Sequence, residues 1–290
     1  MFEMRLKALA KINLGLDVVR RREDGYHEVK MIMQTIRLYD RISLKKIKQP
    51  EILVKTNLFY LPENENNLVY QAAKLLRDEF QISQGIRIDL QKNIPVAAGM
   101  AGGSADAAAV LYGMNQMFHL KLSEEELMKR GVILGADVPY CIKRGTALAE
   151  GIGEILTVLP GAPKCKVLIA KPPISVSTKF VYENLKLNEQ TIHPKIDLLV
   201  QDIEAGNLER MVSHMGNVLE SVTIPEYPVI AQLKEQMMEA GALHAMMSGS
   251  GPTVFGLFNN DEKAKRAYDK MKKNNLAKQV YLTELYNNRR

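Results

Sequence analysis

Apolar residues alternate with polar ones, or cluster with β-branched neighbours, over residues 12–19, 29–38, 41–47, 51–56 and 86–94, and each stretch reads as a strand. The spacing then changes. Leu68, Ala72, Leu75 and Leu76 recur on one side of a helix predicted over 68–80. An alanine-rich helix follows over 104–118. A third, over 123–134, opens on Ser123 and Glu126 at the spacing of a capping box. Residues 145–153 read as turns, and residues 167–171 form a buried strand that Pro172-Pro173 stops. Beyond it the pattern is helical over 178–186, 195–204, 207–221 and 226–240, with Gly241 at a helix end. Strands at 253–258 and 279–285 flank a charged helix near 261–273. No repeat or low-complexity segment occurs. The texture shifts around 155–175, so the chain is expected to hold two domains, 1–160 and 161–290, in the α+β class with mixed sheets.

Composition narrows the function. With 290 residues, 46% hydrophobic and 25% charged, the chain can bury a sizeable core, and dominant disorder is excluded. No apolar run approaches the ~20 residues of a membrane span. The segment from Met1 to Lys7 has no apolar core of a secretory signal behind it. Cys141 and Cys165 have no metal-ligand spacing and read as reduced thiols of a cytoplasmic protein. The histidines at 27, 119, 193, 214 and 244 are scattered, which leaves no histidine-built metal site. The net charge is +6 with a pI of about 9.1, so an anionic partner is expected. Its basic runs, at 20–22 and 270–273, are short, and there is no nucleic-acid motif and no tryptophan. A small polyphosphate ligand fits better than nucleic acid.

The most informative stretch runs from Asn93 to Asp106, where a strand leads in and an alanine-rich helix leads out. Pro95, Val96, Ala97, Ala98, Gly99, Met100, Ala101, Gly102, Gly103, Ser104 and Ala105 are small or turn-forming. Small residues let a backbone approach a ligand, and positive φ angles turn successive N–H groups toward one point. The helix N-terminus adds donors and a positive dipole end, so a di- or triphosphate is the expected guest. Neither GxxxxGK[ST] nor GxGxxG fits the stretch. A turn with tight helix packing is the plain alternative. Asp106 falls in the predicted first helical turn, where its charge would complement the dipole.

This loop has the form of the second motif of the GHMP kinases. Two further segments, Ala8 to Leu16 and Met247 to Phe255, resemble the N-terminal and C-terminal motifs of that superfamily, in the same order. The resemblance implies a GHMP kinase fold, with an N-terminal domain like the second domain of ribosomal protein S5, a C-terminal α/β sandwich, and a cleft for the active site. It also implies ATP and Mg²⁺ as cofactors. It places Lys11 beside the acceptor hydroxyl and makes Asp137 the carboxylate that takes its proton, where a surface lysine and a turn cap are the ordinary alternatives. Many family members have two serines in the loop; here Ser104 is followed by Ala105, so Ser104 or ATP and water would hold Mg²⁺. Three segments resemble one branch of the family: Asp24 to Val29 with Gln34 to Ile36, Gly135 to Pro139, and Gly216 to Glu220. Its acceptor is a cytidine diphosphate-linked polyol of non-mevalonate isoprenoid synthesis. That branch implies substrate contacts from Asn13, Tyr26, His27, Tyr182, Ser248, Gly249 and Gly251. A homoserine- or mevalonate-type kinase and a non-catalytic ligand-binding regulator are the rivals. The Asp24 to His27 segment argues against the first, and the presence of both Lys11 and Asp137 against the second.

Overall fold

The first two strands run further than their hydrophobic patterns indicate. In the computed structural model, which describes residues 3–287, β1 spans Glu3–Arg21 and β2 spans His27–Ile47. Met1 and Phe2 of the leading segment lie outside the described residues. Between the strands Arg22 N–H donates to the Tyr26 carbonyl at 2.8 Å. The segments expected at 29–38 and 41–47 are one strand. Aspartate is depleted in strands, yet Asp40 sits fully buried inside β2, because the backbone N–H groups of Asn93 and Ile94 and the Lys92 ammonium satisfy its carboxylate.

The chain divides into two compact units, neither continuous in sequence: Met1–Ala10 with Leu38–Val96 and Ala101–Lys143, and Lys11–Arg37 with Ala97–Met100 and Arg144–Arg290. A single cut at 160 does not follow them, because β1 and β2 each contribute residues to both.

In the first unit β3 (Ile52–Thr56) pairs in parallel with β4 (Gly85–Gln91), and β4 pairs antiparallel with Arg41–Ile47 of β2. Helices α1 (Leu68–Glu79), α2 (Gly102–Met117), α3 (Glu124–Leu134) and α4 (Val138–Lys143) complete it. Every second residue of the strands turns inward: Ile42 and Leu44, Ile52 and Val54, Ile86, Ile88 and Leu90 are buried. The capping box of α3 forms, with Ser123 N–H donating to Glu126 Oε2 at 2.8 Å and Glu126 N–H to Ser123 Oγ at 3.2 Å. Helix α4 was not anticipated, since its six residues are too few for a periodicity.

In the second unit Met31–Gln34 of β2 pairs with β5 (Thr146–Glu150), which pairs with β6 (Ile155–Val158). The 145–153 stretch is therefore largely a hairpin strand. A second sheet is antiparallel throughout, in the order β11-β7-β10-β9, with β7 (Lys166–Lys171), β9 (His244–Met247), β10 (Val254–Phe258) and β11 (Gln279–Glu284). Its β7 and β10 are apolar and buried. The helices are α5 (Thr178–Asn184), α6 (Ile196–Glu204), α7 (Leu208–His214), α8 (Glu220–Glu226), α9 (Val229–Glu239) and α10 (Asp261–Lys273). The single helix expected over 207–221 is broken, because β8 (Gly216–Asn217) pairs in parallel with Gly15 and Leu16 of β1. Neither Cys141 nor Cys165 is in a disulfide and both are buried; burial pushes the Cys165 thiol up to about 12, so it stays protonated.

Candidate active site

The glycine-rich loop takes alternate residues into the left-handed region: Ala97 at φ 49°, Gly99 at φ 68° and Ala101 at φ 54°. Two of the three are alanines, for which this conformation costs roughly 1–2 kcal/mol each. Such alternation is how a backbone forms a concave row of N–H groups. Ala101 is the N-cap of α2 and makes no side-chain hydrogen bond to the first turn. The leading N–H groups of a 16-residue helix thus lack a side-chain cap, which is the condition for holding an anion there.

Within the second unit, residues 97–100 of the loop are fastened on two sides. Lys11 N–H donates to the Met100 carbonyl at 3.2 Å, and Ser248 Oγ donates to the Gly99 carbonyl at 2.8 Å. A Cβ at Gly99 would stand 2.1 Å from the Ser248 carbonyl oxygen and 3.2 Å from that of Gly251. Glycine at 99 is therefore demanded by the protein's own backbone. Gly102 and Gly103 differ: a Cβ there would meet only side-chain atoms, of Ile94 and Lys92 or of Leu68, at 3.1–3.2 Å, a tight fit that a small shift of those side chains relieves.

Lys11 and Asn13 face the interior of the second unit, 4% and 0% exposed. Lys11 Nζ donates to Asn13 Oδ1 at 2.7 Å, and Asn13 Nδ2 reaches the Met31 sulfur at 3.3 Å. One of the three donors of the Lys11 Nζ is thereby directed at Asn13. His27 and Tyr182 come together, with ring centroids 5.1 Å apart and planes at 42°. Partial burial and the charge of Arg21 push the His27 pKa down, which favours the neutral ring. Tyr26 is 61% exposed, its N–H bonded to Asp24 Oδ1 at 3.1 Å. Ser248, Gly249 and Gly251 are buried, and the Ser248 hydroxyl is committed to Gly99.

In the first unit Asp137 is half-buried in the turn between α3 and α4. Its carbonyl accepts the Cys141 N–H at 3.0 Å, the first bond of α4, so it leads into that helix and does not close the one before it. Ser104 lies in the first turn of α2, its hydroxyl oxygen 3.9 Å from where a Cβ of Gly135 would be. Asp106 is not in that first turn. Helix α2 begins at Gly102, which puts Asp106 in the second turn, 2% exposed and paired with Lys92 at 2.7 Å. Burial pushes its carboxyl well above the ordinary carboxylate range; Lys92 pulls it down and the Asp40 charge adds to the rise.

Sequence reading left the Gly216 to Glu220 segment without a role. Asn217 donates to the carbonyls of Met247 at 2.9 Å and Gly249 at 2.8 Å, and accepts the Leu219 N–H at 3.0 Å. Glu220 accepts the Met247 N–H at 2.7 Å. These two residues shape the 248–251 turn from behind. Replacing Asn217 with leucine strands two buried carbonyls, so Asn217→Leu is expected to lose about 2–4 kcal/mol of stability, read from urea unfolding. A loss under about 0.5 kcal/mol would remove Asn217 as the support of this turn. A cavity of about 660 Å³ lies in the first unit among Arg5, Lys7, Arg41, Lys55 and Asp89, and no candidate site residue lines it.

The profile for the GHMP kinases N terminal domain matches residues 67–145, and that for GHMP kinases C terminal matches 199–277. The 4-diphosphocytidyl-2-C-methyl-D-erythritol kinase of Lachnoclostridium phytofermentans is 60% identical over 281 residues, covering 97% of each chain. The protein of the same name from Lachnospira eligens is 56% identical over 286 residues, covering 99% of each. A crystal structure of 4-(cytidine 5'-diphospho)-2C-methyl-D-erythritol kinase superposes with a TM-score of 0.83 at 29% identity, covering 97% of this chain and 99% of that one.

Proposed function

This chain belongs to the GHMP kinases, a family of ATP-dependent small-molecule kinases, and we propose that it phosphorylates the 2-hydroxyl of 4-diphosphocytidyl-2-C-methyl-D-erythritol. The observation that carries the phosphate half of this reading is the loop at 97–101, where three alternate residues at positive φ lead into a helix without a side-chain cap. The acceptor half rests on the likeness to relatives of that name over nearly the whole chain.

In this reading Pro95 to Ala105 wrap the triphosphate of ATP, and Asp137 accepts the proton of the acceptor hydroxyl. The acceptor oxygen bonds to the γ-phosphorus as the bond to the β–γ bridging oxygen breaks, and ADP leaves with that electron pair. The Lys11 ammonium, buried and directed by Asn13, orients the reacting oxygens and offsets their charge. Among the described residues no group of three or more His, Cys, Asp or Glu could hold a metal ion. Ser104 would offer its hydroxyl to a magnesium ion that arrives with the nucleotide and keeps several waters, and the ion would neutralise charge on the phosphates.

His27 and Tyr182, already in ring contact, with the exposed Tyr26, are assigned to the cytosine. Ser248, Gly249 and Gly251 are assigned to the substrate side of the loop they brace. The family domains are taken as 1–160 and 161–290, each holding one of the two profile matches. Among the described residues no helix is long and apolar enough to cross a membrane. The reading places the enzyme in the cytoplasm, with a small-molecule partner and no nucleic acid or membrane.

The test compares the cytidine-linked acceptor with the same polyol phosphate lacking cytidine. Wild type is expected to use only the first. Tyr26→Ala is expected to raise its KM roughly tenfold, the loss of about one base–aromatic stack, and to spare the KM for ATP. Equal use of both acceptors by wild type would withdraw the cytidine assignment and leave the kinase.

A further inference from the structure

Behind the glycine-rich loop, and inside the first unit, lies a buried set of three charged side chains. Asp40 is 0% exposed in β2, Lys92 is 8% exposed just past β4, and Asp106 is 2% exposed in α2. Lys92 Nζ pairs with Asp40 Oδ2, and with Asp106 Oδ2 at 2.7 Å. Asp40 Oδ1 accepts the backbone N–H groups of Asn93 and of Ile94, the latter at 2.8 Å. Asn93 and Ile94 are the residues that lead into Pro95 and the loop. Asp106 stands in the helix that leaves it. One connected set of bonds therefore reaches both stems of the loop. Gly102, the first residue of α2, lies against the same ammonium, its missing Cβ 3.2 Å from Lys92 Nζ.

We infer that Asp40, Lys92 and Asp106 are positioning residues for the nucleotide: they hold the two stems of the loop so that its backbone is already shaped for phosphate before ATP arrives. This rests on the reading of 95–105 as the nucleotide loop.

Stability alone is a poor reason for the set. Desolvation of buried ions offsets most of their attraction, and apolar residues of similar volume often stabilise a core as well or better. Ion pairs and charge-assisted hydrogen bonds add direction, which apolar contacts lack. Direction is what this loop requires. It carries Ala97 and Ala101 in the left-handed region, and such strained residues persist only where their surroundings over-determine them. A loop shaped in advance spares the ordering cost at binding, so the set acts on nucleotide affinity and not on the transfer step. None of the three side chains is required to touch substrate for this.

The test is steady-state kinetics on Lys92→Met, Asp106→Leu and Asp106→Asn, each checked for folding by thermal melting. Asparagine keeps an acceptor for Lys92, whereas leucine has the volume without the acceptor. Lys92→Met and Asp106→Leu are expected to raise the KM for ATP about tenfold or more, with kcat and the acceptor KM within about threefold of wild type. Asp106→Asn is expected to stay within about threefold in every constant. An unchanged ATP KM in folded Lys92→Met, or a kcat loss without an ATP effect, overturns the inference. Should the apolar variants not fold, hydrogen exchange on nucleotide-free wild type decides. The amides of Asn93 and Ile94 are expected to be strongly protected; exchange as fast as the exposed Ala97 overturns it. Wild type that fails to bind ATP would sink the loop reading itself, and is told apart because no variant is needed to see it.

Discussion

Asp137→Asn is expected to lower kcat by roughly 10²–10⁴-fold, the usual range for losing a group that takes the acceptor proton. Asparagine matches the carboxylate in size and leaves untouched the backbone carbonyl that starts α4, so the turn and the helix after it survive. Nucleotide affinity is expected to stay within about threefold, since the loss falls on a contact made to the reacting hydroxyl and not to ATP. Lys11→Met removes the buried amine that is bonded to Asn13 and is expected to lower the rate of the same step. The double variant is expected to be little slower than the worse single one, because residues that act as a unit lose their effect together. Single-turnover measurement with saturating ATP separates chemistry from product release. Near-native turnover in either single variant would mean that the wrong pair has been assigned.

The next largest effect is expected at Gly99. An alanine Cβ there would lie 2.1 Å from the Ser248 carbonyl oxygen, a backbone atom that cannot swing aside, at a φ of 68° that L-residues avoid. The loop must then separate from the 248–251 turn, breaking the bond from Ser248 Oγ to the Gly99 carbonyl. Gly99→Ala is expected to weaken ATP binding by about 100-fold, the scale of more than 2.7 kcal/mol, and to lower the melting temperature. Ala101→Gly is the control. It removes an alanine from φ 54°, and both stability and ATP affinity are expected to stay within about 1 kcal/mol of wild type. Calorimetric titration with a non-hydrolysable ATP analogue reads both. A folded Gly99→Ala variant that binds ATP normally would show that this contact does not shape the loop.

Those two positions also differ in how far sequence reveals them. The loop was visible because its signal is local: small residues between a strand and a helix, within about a dozen consecutive positions. That glycine at 99 answers to Ser248 was not visible, because the backbone atom that forbids a side chain there comes from elsewhere in the chain. His27 and Tyr182 could both be named from the family resemblance, yet that their rings touch joins residues whose separation no pattern encodes.

What the sequence by itself determined is what depends on neighbours a few residues apart. The capping box at Ser123 and Glu126 and the apolar runs of β7 and β10 follow from the helical and strand repeats and form as read, while α1 forms with its buried face turned to Val69, Ala72, Ala73 and Leu76. Tertiary structure alone decided where polar groups go when they are buried. Asp40 continues a strand that composition would break, because donors from Lys92, Asn93 and Ile94 meet it. Asp106 serves an ion set and not a helix dipole. Asn217 interrupts an expected helix to hold two carbonyls some thirty residues ahead. A buried polar atom must find a partner wherever the fold supplies one. That partner is set by the path of the whole chain, and no local repeat carries it.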